Sequence, residues 1–269
     1  MKIILNKKKL IEVLKKDKNI GFVPTMGAIH EGHASLVKKS KKENDKTVVS
    51  IFINKPQFNK KHDFINYPRV LKKDKKILKK LKVDYIYIPK DKEIYPNGIS
   101  KNIKLNKFKK DLCGKFRPNH FEAIIDVVQR FIKIIKPKRI YLGKKDMQQF
   151  ILIEDFFKKN KIKTKVIGCK IIRQKNGVAF SSRNLLLNKN DQRIASKIYK
   201  ILKKSKKKIL KQMVLIKNIK YKIFNLGIKR IDYLKVLDIN KITKPYNKNA
   251  NKKIFIAYYI NSVRLIDNI

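Results

Sequence analysis

The sequence has few cysteines, few acids and no long apolar run, and each shortage excludes something. It holds two cysteines in 269 residues, Cys113 and Cys169. They show neither a pairing nor a metal-ligand spacing, so a disulfide framework and a cysteine zinc site are excluded, and a reduced, cytoplasmic setting is expected. No apolar run approaches the ~18 residues of a membrane span. The apolar stretch Ile3-Ile4-Leu5 is expected to be too short for a secretory signal. Acidic residues number 20 against 70 Lys and Arg, a formal charge of +50. Such a balance attracts polyanions at low salt. Yet the lysines run along most of the chain, accompanied by abundant Ile and Asn, instead of forming one block. Neither an aromatic–basic RNA motif nor a zinc knuckle is present. We read the lysines as filling tolerant exposed positions, and expect no specific nucleic-acid partner and no membrane partner.

What is present fits a globular protein: 43% hydrophobic residues and enough length for one large or two smaller domains. The chain is organised around Pro24-Thr25-Met26-Gly27-Ala28-Ile29-His30-Glu31-Gly32-His33. An apolar run at 20–23 precedes it and reads as a strand, and residues 34–44 read as a helix. A strand, a glycine-bearing turn and a helix N-terminus together form a cradle for phosphate. Two of the four histidines stand in it, three residues apart, and at helical spacing share one face. The β-branched run at 47–54 predicts a buried parallel strand, closing a right-handed βαβ unit. The first strand-to-helix turn of such a unit is where nucleotides bind in doubly wound folds.

The alternation continues. Residues 8–16, 70–81 and 122–135 read as helices, as does the stretch opened at 144–149. Residues 84–89, 139–143 and 164–172 read as strands, and 90–110 as loop. A long basic helix at 191–213 and strands at 231–239 and 253–260 then break the rhythm. The prediction is an α/β protein: a Rossmann-like doubly wound parallel sheet over residues 1–172, with a smaller C-terminal α+β domain, 173–269, closing over the site.

Further groups are expected at the same sheet edge. Gly143, Lys145 and Asp146 follow a strand; alone they read equally well as a helix cap and a solvated lysine. Ser181, Ser182 and Arg183 offer two hydroxyls and a guanidinium suited to phosphate, or a polar turn with a helix cap. Gln57 and Gln149 are neutral amides at element ends.

Together these motifs resemble the pantoate–β-alanine ligase family. The likeness rests on Pro24-Thr25-Met26-Gly27 with His30-Glu31-Gly32-His33, Ser50-Ile51-Phe52-Ile53-Asn54 with Gln57-Phe58, and Tyr67-Pro68-Arg69. It extends through Arg117-Pro118 with His120-Phe121, Gly143 with Lys145-Asp146 and Gln148-Gln149, and Ser181-Ser182-Arg183-Asn184. The resemblance implies a nucleotidylyltransferase-type enzyme, usually a homodimer, joining D-pantoate to β-alanine with ATP as substrate and Mg²⁺ as companion. It implies that Met26, Gly27, Ala28, Ile29, His30, Glu31, Gly32 and His33 bind ATP, with His33 as proton donor. Gly143, Lys144, Lys145, Asp146, Ile172, Phe180, Ser181, Ser182 and Arg183 would complete the ATP site. His33, His30, Lys145 and Arg183 would stabilise the reacting phosphates. Gln57 would contact pantoate and β-alanine, Gln149 pantoate, and Asp74 would hold Mg²⁺. Lys55 precedes Pro56 where the family usually has the proline one residue earlier, which predicts a relaxed turn at Gln57. Lys73 beside Asp74 weakens the metal site. Within enzymes the alternative is a nucleotidylyltransferase acting on a phosphorylated acceptor. Outside them it is a basic RNA-binding protein, which would need its cations on one face.

Overall fold

The computed structural model describes residues 1–100, 102–243, 246 and 249–269. Strand β1 (Lys2–Ile4) and helix α1 (Lys7–Leu14) lead into β2 (Ile20–Thr25), α2 (Glu31–Glu43) and β3 (Lys46–Ile51). Then come α3 (Lys61–Ile65), α4 (Leu71–Lys80), β4 (Tyr85–Tyr87), α5 (Asp91–Ile94), α6 (Leu112–Phe116) and α7 (His120–Ile135). Strand β5 (Arg139–Gly143), α8 (Met147–Lys159) and β6 (Lys165–Cys169) complete the alternating part. The remainder comprises α9 (Lys189–Leu210), α10 (Ile216–Phe224), β7 (Arg230–Asp238), β8 (Lys252–Ile260) and β9 (Val263–Asn268).

The first six strands form one parallel sheet in the order β1-β4-β3-β2-β5-β6. From β2 the chain winds outward through β3 and β4, then crosses back to β5 and β6 on the other side. The order therefore reverses between β2 and β5, and ligands of doubly wound sheets bind outside the carboxyl ends at such a point. Buried strands are apolar on both faces: Phe22, Val23, Val48, Val49 and Ile140 are inaccessible to solvent. Helix α7 buries Phe121, Ile124, Ile125, Val128, Phe131, Ile132 and Ile135, the helical spacing of one broad apolar face. It stops at Lys136, whose backbone is left-handed (φ 49°), just before Pro137.

The last three strands form a separate antiparallel sheet, β7-β8-β9. Its strands alternate. Ile254, Ile256, Tyr258 and Ile260 join a core under α9 and α10. Phe255 and Ala257, with Tyr233, join the core of the parallel sheet. The small sheet is thus buried on both faces, and one of them rests on the larger sheet's body.

Some boundaries differ from the sequence reading. The apolar piece at 2–4 is an edge strand, pairing Lys2 with Tyr85 and Ile4 with Tyr87. Strand β3 ends at Ile51, because Lys55–Gln57 coils into a 3-10 turn, and β6 ends at Cys169. Helix α10 was hidden by its alternation of lysine with apolar residues.

Candidate active site

One wall is the β2–α2 turn. The Thr25 hydroxyl donates to the Ser50 carbonyl (2.6 Å) and accepts from the Gly27 amide (3.2 Å), bending the chain at the strand end. Gly27 (φ 81°) and Ala28 (φ 49°) are both left-handed, which for alanine costs roughly 1–2 kcal/mol. Asp74, reaching across from α4, holds them there. Its carboxylate accepts from the amides of Ala28 (2.9 Å) and Ile29 (2.7 Å). Burial raises its pKa while those two amides oppose the rise.

His30 is the N-cap residue of α2, so the first-turn amides of Glu31, Gly32 and His33 have no partner within the helix. The imidazoles of His30 and His33 stack with centroids 4.0 Å apart, and Phe180 lies near-parallel to His30 at 6.0 Å. Gly32 makes this possible, since a Cβ there would stand 2.8 Å from His30 Cε1. The Nδ1 atoms of both histidines are buried with no hydrogen-bond partner among the described residues. Burial, then the nearby Lys145 ammonium, pulls His30 down to about 4. Burial, then His30 and Lys145, holds His33 well below the usual imidazole range. Both rings are therefore neutral at pH 7.

The second wall follows β5 and β6. Residues 144–146 coil into a 3-10 turn that carries the Lys145 ammonium, 3.3 Å from Asp146 Oδ1. Ser182 donates to the Ala28 carbonyl (3.2 Å) and so ties the 181–184 segment to the first wall. Arg183 does not stand free. Its guanidinium makes a two-pronged pair with Asp63 of α3, the shortest contact 2.9 Å, and lies over the Tyr67 ring.

The floor is the 3-10 turn at Gln57. Pro56 was expected to relax this turn, but it sits inside a closed one, with Phe58 N–H on the Lys55 carbonyl at 3.1 Å. The Gln57 carbonyl is gripped twice, by Arg117 Nη2 (3.1 Å) and His120 Nδ1 (2.8 Å). Its side-chain amide accepts from Asn54 (3.1 Å) and donates to Met26 Sδ (3.1 Å). The paired glutamines part company. Both line the cleft, but Gln148 is buried with its amide spent on the 108–113 loop through Cys113, Phe108 and Asp111, whereas Gln149 is only half-buried.

These walls open on a cleft of about 1270 Å³ that runs on to residues of α9 and of the β7–β9 sheet. Met26, His30, Gly32, His33, Gln57, Gly143, Lys145, Asp146, Gln149, Ile172, Phe180, Ser181, Ser182 and Arg183 all line it. Gly27, Ala28 and Ile29 are buried behind the turn, Glu31 points to solvent, and Lys144 lies over Phe150. Asp74, expected to hold Mg²⁺, is engaged behind the turn. It is 1% exposed, does not line the cleft, and has each oxygen on a backbone amide. Among the described residues no group of three His, Cys, Asp or Glu side chains converges as a metal cage. The sequence reading missed Asp63, the grip of Arg117 and His120 on Gln57, and Asn268, whose amide bonds the carbonyls of Lys144 and Lys145. Only Arg117 and His120 had a signal, as members of a quoted motif.

A parallel sheet whose polar groups converge at its switch point is the plan of a doubly wound α/β enzyme. The sequence pattern of the pantoate-beta-alanine ligase family matches residues 2–269. A pantothenate synthetase of Thermosipho africanus is 41% identical, over 96% of this chain and 94% of that protein. One from Clostridium botulinum is 39% identical, over 100% and 98%. A crystal structure of the Francisella tularensis pantoate-beta-alanine ligase, complexed with beta-gamma ATP and beta-alanine, superposes with TM-score 0.86 at 39% identity, covering 100% of this chain and 97% of that one. The chain belongs to the pantoate–β-alanine ligase family, and it is accordingly an enzyme, a ligase.

Proposed function

We propose that this chain condenses D-pantoate with β-alanine through a pantoyl-adenylate, converting ATP to AMP and diphosphate. The observation that carries the reading is one cleft with two kinds of wall. Imidazole nitrogens without a partner among the described residues lie on one wall, the Lys145 ammonium on the wall near them, and neutral glutamine amides elsewhere in the cleft.

The chemistry suits those groups. Pantoate's carboxylate, with an unperturbed pKa of about 4, is already an anionic nucleophile at neutral pH. Adenylation forms a bond from that carboxylate oxygen to the α-phosphorus and breaks the bond to the departing diphosphate. It needs no general base; it needs alignment and positive potential where charge builds up. Lys145 supplies a full charge and the α2 N-terminus a partial one. His30 and His33 enter as neutral rings offering N–H bonds, so His33 becomes a proton donor only after bound phosphate raises its pKa. The mixed anhydride is then attacked at its acyl carbon by the neutral amine of β-alanine. The C–N bond forms, the C–O bond to AMP breaks, and the amine loses a proton. Gln57 and Gln149 can hold a hydroxylated carboxylate without adding charge that would resist the uncharged amide product.

Mg²⁺ in this reading travels with the ATP phosphates, keeping its waters, as small hard cations do; no step here depends on a protein-held ion. We place the domain boundary at 172/173, with Tyr259 and Arg264 of the small domain lining the cleft. A homodimer rests on the family resemblance, and the two free, buried thiols fit a cytoplasmic enzyme. The test is AMP release from ATP with pantoate and β-alanine, each omitted in turn. Pantoate-dependent exchange of diphosphate into ATP without β-alanine is the expected sign of the adenylate. AMP formed at the same rate without pantoate would overturn the reading.

A further inference from the structure

The Lys145 turn is held from the far end of the chain. Asn268, the last residue of β9, is 1% exposed. Its Nδ2 donates to the carbonyls of Lys144 (2.9 Å) and Lys145 (2.8 Å), while its Oδ1 has no partner among the described residues. One amide nitrogen thus satisfies two successive carbonyls of the turn that carries the cleft's ammonium. The end of β9 is itself pinned. Arg173 pairs with both oxygens of Asp267 (2.6 and 3.0 Å) and donates to the Asn268 carbonyl (3.1 Å). A continuous path runs from Arg173 through β9 to the backbone of Lys145.

Side chains other than asparagine and glutamine offer no neutral NH₂ group with a short reach. Aspartate has the same shape but would turn a carboxylate oxygen toward two carbonyl oxygens. Alanine would remove the side-chain donor that both carbonyls share, a loss felt where the turn is shaped. Loosening the turn by a fraction of an ångström moves Lys145 relative to His30 and His33, and misplacement of about 1 Å can cost ~10²-fold in rate.

We propose that Asn268 is a positioning residue for Lys145, so that the small C-terminal sheet sets the geometry of the cationic wall. This rests on the ATP-site reading of Lys145 given above. The test compares Asn268→Asp and Asn268→Ala with Ile223→Val, a control in the fully buried core of α10, outside the cleft. Adenylation is measured well below the melting temperature, and the acylation rate of the Lys145 amine is measured by peptide mapping without nucleotide. Both Asn268 variants should slow adenylation about ten- to a hundred-fold. They should also speed Lys145 labelling several-fold, whereas Ile223→Val should lower the melting temperature and change neither. In a Lys145→Ala background, Asn268→Ala should cost nothing more, because the two act as one unit. Unchanged Lys145 labelling in the Asn268 variants would overturn the proposal whether or not pantoate is the substrate. So would equal kinetic losses in the Ile223 control. If Lys145 labelling shifts but the wild-type chain releases no AMP with pantoate, the positioning role stands and the substrate reading fails.

Discussion

The two sides of the cleft differ in what they have left to give. On the β2–α2 side, His30 and His33 present buried nitrogens with no partner among the described residues, fixed by stacking and by the backbone of α2. On the opposite side and floor, the equivalent groups are occupied. Arg183 is paired with Asp63, and the Gln57 amide is bonded to Asn54 and Met26. The first wall is preorganised and unsatisfied, so a ligand completes it at little reorganisation cost. The second must trade internal partners for the ligand, and affinity is reduced by what those partners were worth. Breaking the first wall should therefore damage the reaction, whereas relieving the second should help binding.

The largest effect should come from removing a free donor of the first wall or the Lys145 ammonium of the second, which among the described residues is paired only with its neighbour Asp146 at 3.3 Å. Lys145→Ala or His33→Ala should slow pantoate-dependent diphosphate exchange by ~10²–10³-fold, as loss of one transition-state donor does elsewhere. Near-normal exchange in His33→Ala would remove the histidine wall from the chemistry. Gly32→Ala attacks the same wall by sterics alone. The new Cβ would meet His30 at 2.8–2.9 Å, so the ring must turn out of its stack. Exchange should fall about tenfold while melting temperature holds or rises, because alanine is the better helix former. Asp74→Ala should act on stability. Losing a carboxylate that bonds two amides should remove about 2–3 kcal/mol, read from denaturant unfolding. If Asp74 held Mg²⁺ instead, stability would be unchanged and the Mg²⁺ requirement would rise.

What was legible in the sequence was local. The β-branched run of β3, the apolar face of α7 and the glycine-marked turn before α2 each state their structure within a few residues. That the strands run parallel in one sheet followed from their alternation with helices, whereas their order came only from the structure. What was not legible depends on partners far along the chain. Asp63 and Arg183 are 120 residues apart, so nothing near either announces the pair. Asp74 had the residue type of a metal ligand, and only the fold shows that it reaches two backbone amides behind the turn. Gln148 and Gln149 are alike as sequence neighbours, but one helical step of about 100° buries the first amide against the 108–113 loop and leaves the second half-buried. Asn268 lies beyond every motif, and its role exists only where β9 meets the Lys145 turn.

The occupied wall gives a smaller effect of opposite sign. Asp63→Asn keeps the shape of the Arg183 contact and removes its charge. If Asp63 competes with phosphate for the guanidinium, the KM for ATP should fall several-fold with kcat nearly unchanged. A raised KM would mean that Asp63 aims Arg183 rather than restraining it, and the contrast between the walls would weaken.

The smallest effect tests whether the histidine wall is held neutral. His30 lies at about 4 in the fold against 6.5 for an ordinary histidine. Between those values the unfolded chain binds a proton that the folded chain refuses, so stability falls as pH drops from 6.5 toward 4 and is fully present above 6.5. His33 and His120, both lowered chiefly by burial, add the same sign. Replacing His30 with Gln should therefore flatten the acid limb of melting temperature against pH. A phosphate-bearing ligand beside the rings favours their protonated form and should flatten the limb in the wild-type chain as well. An acid limb equally steep in His30→Gln would mean that the ring is not held neutral by burial and Lys145. In that case the unpartnered nitrogens would not distinguish one wall from the other.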